Sequence, residues 1–113
     1  MLGTSLMLAA ALFAQSTASL DKTRGDYLKC MRVFLHDSVK AKLPETEFAM
    51  AVAGTCATEQ SAFHAAVVAL DRADGLKSAD AKENADMQVA DYVDSFKAKF
   101  ADHIESGTVP GKD

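Results

Sequence analysis

Between Thr23 and Lys42 the apolar side chains keep to one side of a helix. Tyr27, Leu28, Met31, Phe34, Leu35 and, completing the face, Ser38 recur at helical steps. Leu43-Pro44 closes this stretch, because the residue before a proline is pushed out of the α region. Pro44 suits the first position of a second helix, where its missing N–H costs nothing, and Glu45 and Glu47 favour the same helix start. Phe48, Val52, Cys56, Glu59, Phe63, Ala66, Val67 and Leu70 then share a face as far as Asp74-Gly75-Leu76, which reads as a left-handed C-cap. Gly54 lies inside this helix and weakens it by about 1 kcal/mol relative to Ala, which leaves room for a kink within one continuous helix. Ser78 is positioned to cap a third helix whose stripe is Ala85, Val89, Val93, Phe96, Phe100 and Ile104, with Tyr92 beside it and Ser106-Gly107 as its stop. No alternating β-branched runs interrupt this periodicity. The expected fold is all-α: an up-down-up three-helix bundle with helices at about 23–42, 44–74 and 79–105, in a domain spanning 19–107, and a flexible tail over 108–113.

Residues 1–20 break the pattern because they contain no charged side chain, and Leu6 to Ala14 is an unbroken apolar run. That length matches the apolar region of a secretory signal peptide and falls short of the ~20 residues that a membrane-spanning helix needs. Ser16-Thr17-Ala18 offers small residues for cleavage after Ala18, so residues 1–18 are read as a signal peptide, with Ala14-Gln15-Ser16 as the second choice. The positive charges usual before such a run are missing, which fits either a weak signal or a true start upstream of Met1. The other reading of this segment is a first helix of the domain itself.

Composition then excludes whole classes. The chain of 113 residues carries 12 Lys and Arg against 16 Asp and Glu, a net charge of −4, and so lacks the basic surface of a nucleic-acid binder. After signal removal nothing remains that would span a membrane. The two cysteines cannot supply a four-ligand zinc site, and they do not form a C-x-x-C pair.

The pair is informative in another way. Cys30 and Cys56 lie almost symmetrically about Pro44 and meet at one height when the chain folds back there. An exported chain enters an oxidising compartment, so a Cys30–Cys56 disulfide stapling the first helical hairpin is expected, worth roughly 3.5 kcal/mol in the chain-entropy model.

Candidate chemistry is sparse. Glu59 falls inside the apolar arc of the second helix, opposite Tyr27 on one neighbour and Tyr92 on the other, which suggests a buried polar network of one carboxylate and two phenols. His36, His64 and His103 are scattered, and His36 and His103 both fall toward the Pro44 end. At most two of them converge, which is too few for a metal site. The chain has no C-x-x-C-H for covalent haem, no G-x-S-x-G elbow and no Gly-rich phosphate loop. Met31 and Met87 read as core filler and surface respectively. Val33, Met50, Val68 and Met87 are the apolar residues left off the core faces, too dispersed to announce a single groove though they leave room for a small partner-facing patch near the first hairpin. No catalytic residue, metal or cofactor is expected from these residues.

Tyr27-Leu-Lys-Cys30 followed, after the turn, by Ala53-Gly-Thr-Cys56-Ala-Thr-Glu59 resembles the first hairpin of small exported two-cysteine helical proteins of Gram-negative bacteria. The resemblance implies an envelope location and a disulfide hairpin, and it carries over no activity. Helical periplasmic acid-stress chaperones are similar in size and class, but their single disulfide closes a much longer loop. The expectation is therefore a periplasmic or secreted non-enzymatic protein: an interaction, inhibitor or stress-chaperone-like module with another envelope protein as its partner. The alternative is a small-ligand or metal/haem carrier of the periplasm.

Overall fold

The computed structural model describes residues 2–113, with side chains from Thr17 onward. Every described element is helical: α1 (Leu2–Lys40), α2 (Glu45–Val52), α3 (Ala57–Ala73) and α4 (Ser78–Ser106). The helix expected from Thr23 is thus already under way at Leu2, consistent with an Ala- and Leu-rich stretch that offers no Pro to stop it. The proposed signal peptide falls largely outside the described residues, since nothing is described of Met1 or of the side chains as far as residue 16.

The second correction concerns helix number. The expected helix over 44–74 is two helices, α2 and α3, separated by a turn at 53–56. Gly54 and Thr55 both donate their N–H to the Ala51 carbonyl, at 3.1 and 3.0 Å, and Cys56 stands as the N-cap of α3 with φ −113°. Gly54 is a weak helix former and Thr55 is β-branched, so the local propensity is lowest where the chain breaks. Pro44 takes the N-cap position of α2, which so begins one residue later than expected, and Lys77 takes that of α4, which begins one residue earlier.

α1, α3 and α4 pack side by side, and α2 lies mainly against α4. Along the α1 seam the contacts step backwards through the rest of the chain: Tyr27 meets Phe63, Cys30 bonds Cys56, and Phe34 stacks on Phe48. The core draws Tyr27, Met31, Leu35 and Val39 from α1, Phe48 and Val52 from α2, Phe63 and Val67 from α3, and Ala85, Val93, Phe96 and Phe100 from α4. These are the predicted stripes, apart from Val39. Ile104, the last member of the α4 stripe, is the exception at 46% exposure, because α4 runs past the end of the core there. Aromatic rings lie on both sides of the disulfide. Phe34, Phe48 and Phe100 stack in series at 5.2 and 4.2 Å, and Tyr27, Phe63 and Tyr92 pack at 5.7–6.1 Å.

Three helix ends close alike. The first residue beyond α3 and α4 to take a positive φ is Gly75 (95°) and Gly107 (69°), and at the end of α1 it is Lys42 (57°). The next N–H returns to the final helical turn each time: Leu43 to Ser38, Leu76 to Asp71 and Thr108 to His103, at 2.9–3.1 Å. This is the Schellman closure, in which a left-handed residue lets the chain satisfy otherwise unpaired carbonyls.

Candidate functional site

The predicted staple is present: Cys30 and Cys56 are joined with their Cα atoms 6.1 Å apart. Cys30 sits half-buried on α1, and Cys56 is buried at the α2–α3 turn. Glu59 occupies the third position of α3, where an acidic side chain is favourable against the helix N-terminus. Its carboxylate and the two sulfur atoms all lie within 4.8 Å of one another. Because the sulfurs are bonded to each other, this cluster presents no thiolate to a metal.

The phenols do come together, with the Tyr27 and Tyr92 rings 6.1 Å apart and edge to face. The Tyr27 hydroxyl donates to Gln60 Oε1 at 3.5 Å, and Glu59 makes no hydrogen bond among the described residues. The side chain next in sequence thus meets the phenol, because Glu59 faces the disulfide. Burial, with the neighbouring Tyr92 as a lesser cause, raises the Tyr27 phenol above its ordinary titration range.

The histidines are engaged singly. His64 Nε2 donates to Asp86 Oδ1 at 2.8 Å across α3 and α4, and Lys82 binds the other oxygen of Asp86 at 2.7 Å. These contacts, Lys82 first, hold Asp86 below the usual carboxylate range. His36 Nδ1 donates to the Pro110 carbonyl at 2.6 Å, and Lys112 reaches Asp37 at 4.0 Å, so the segment expected as a free tail lies along α1. His103 Nδ1 stands 2.9 Å from the Thr108 hydroxyl. Met31 is buried in the core and Met87 is exposed, each where its flanking pattern put it.

That folded-back tail completes a cleft which no motif announces. The end of α1, the α1–α2 turn, the end of α4 and Thr108–Val109 border an open cleft of about 480 Å³. Its apolar lining is Val39, Leu43, Pro44, Ile104 and Val109, and its polar lining includes Lys40, Lys42, Glu45 and His103. Neither lysine forms an ion pair among the described residues. The volume lies within the ~300–1,000 Å³ range of small-ligand sites, and an apolar lining with few polar groups is their usual chemistry. Ile104, counted in the α4 stripe by its spacing, is exposed and lines this cleft instead. No family model, curated protein or solved structure matches this chain.

Proposed function

We propose that the protein is a non-enzymatic small-ligand-binding protein of the cell envelope, periplasmic or secreted, and that the end cleft is its binding site. An up-down-up bundle, with α2 and α3 sharing the middle limb, would serve as the stapled scaffold presenting it. The observation that carries the reading is an apolar recess of about 480 Å³ built from three element ends. Burying aliphatic groups there is favourable at about 0.8 kcal/mol per methylene. An envelope address is supported by the charge-free leader and by the disulfide, a bond that persists in oxidising compartments.

The test fills the recess. An environment-sensitive apolar dye is expected to bind the protein one to one, and Ile104→Trp is expected to abolish that binding without unfolding the chain. Absence of dye binding, or binding indifferent to the tryptophan, would refute the reading. A second reading, an interaction, inhibitor or stress-chaperone-like module with an envelope protein as partner, is favoured by Met50 and Met87. They stand 83% and 58% exposed, adaptable apolar side chains available to another surface. Photo-crosslinking from position 50 in the native envelope, giving one defined protein adduct, is its expected signature.

A further inference from the structure

We infer that the end cleft selects a single-chain aliphatic carboxylate, with Lys42 as the residue that recognises the anionic head; this rests on the cleft being a binding site. Lys42 adopts φ 57°. An L-residue with a Cβ is disfavoured there, and the chain places glycine at the two equivalent closures, Gly75 and Gly107. Two of these closures, Lys42 and Gly107, line the cleft, and Lys42 alone among the three keeps a side chain in the left-handed region, that side chain being a cation. Strain held at one such position calls for a reason outside the fold.

The helix dipole does not provide it. A helix C-terminus favours a cation, but Lys40, in the last turn of α1, already supplies one at no backbone cost. Lys42 adds a second positive charge to a lining whose one carboxylate is Glu45, in a protein whose net charge is −4. The cleft therefore opposes the sign of the whole molecule. Leu43 and Ile104 offer an apolar path beside the lysines. The volume, near the low end of small-ligand sites, suits one medium-length chain rather than a two-chain lipid.

The test compares dodecanoate, 1-dodecanol and dodecyltrimethylammonium, each titrated calorimetrically as monomer against the intact protein. Dodecanoate is expected to bind at least tenfold more tightly than the alcohol, and the cation most weakly. In Lys42→Gly the preference for dodecanoate should fall to threefold or less while dodecanol binding is unchanged. The melting temperature should rise by roughly 4–8 °C as the strain is relieved. Lys42→Arg should retain the preference. Equal binding of dodecanoate and dodecanol by the natural protein, or a preference that survives Lys42→Gly, overturns the inference and leaves the cleft as a site. Failure of all three ligands to bind, with the apolar dye also unbound, overturns the binding reading itself.

Discussion

Glu59 shows how one side chain can mislead a reading of spacing and still matter. Its place in the apolar arc put it opposite two phenols, yet the carboxylate lies within 4.8 Å of both sulfurs and the phenol of Tyr27 meets Gln60 instead. A carboxylate beside a disulfide opposes thiol exchange, because the attacking thiolate and the departing thiolate both carry the same sign of charge. Cys56 is buried and Cys30 half-buried, so attack must come at Cys30 and pass the Glu59 charge. Two charges ~4 Å apart interact by about 1 kcal/mol even in water, which corresponds to roughly fivefold in rate. Glu59→Gln is therefore expected to speed reduction by anionic glutathione several-fold and to speed reduction by zwitterionic cysteamine much less. Stopped-flow or quenched reduction assays check this, and a rate that is unchanged or slower in the variant would assign Glu59 to helix α3 alone.

The helices divide sharply into what the chain spells and what it conceals. Periodicity located the buried faces of α1, α3 and α4, since the residues that recur every third or fourth position are the ones that exclude water. Gly54 marked a weak point in the middle limb, but the full break at 53–56 was hidden for a physical reason. Phe48, Val52, Cys56 and Phe63 remain on one buried face through the turn, so the break leaves no gap in the pattern. The end of α1 was half readable: Pro44 marked where the helix stops, but nothing in Lys42-Leu43 distinguishes a left-handed lysine from an ordinary one. The cleft was not readable at all, because it joins three element ends distant in sequence. α1 also retains a cost that can be removed. Gly25 is an exposed helical glycine, and a Cβ built there meets nothing within 4 Å. Gly25→Ala should stabilise the protein by about 0.5–1 kcal/mol, seen as a higher melting temperature by circular dichroism. A lower melting temperature would mean that α1 needs flexibility at that point.

The size of the molecule explains why the staple matters. Its principal extents are 63 × 27 × 20 Å and its radius of gyration 17.6 Å, well above the ~13 Å of a compact 100-residue domain. α1 accounts for the length, since 39 residues at ~1.5 Å each reach about 58 Å. Residues 2–18 of that helix belong to the segment read as a cleaved leader, so the domain that remains is shorter than these extents, and a domain of about 95 residues has only a small core to stabilise it. The disulfide lies between the Phe34–Phe48–Phe100 stack and the Tyr27–Phe63–Tyr92 cluster, tying α1 to the turn that separates α2 from α3. Its loop spans 26 residues, which in the chain-entropy model corresponds to roughly 3.5 kcal/mol withheld from the unfolded state. With a urea dependence of about 1–3 kcal/mol per molar for a protein this small, reduction should lower the unfolding midpoint by roughly 1–3 M. Comparing oxidised and reduced natural protein isolates the cross-link itself, because a Cys56→Ala substitution would also empty a buried site. If the midpoint moves by only a few tenths molar, the reduced chain already holds α1 against α2 and α3. The two aromatic groups would then suffice to close the hairpin without the bond.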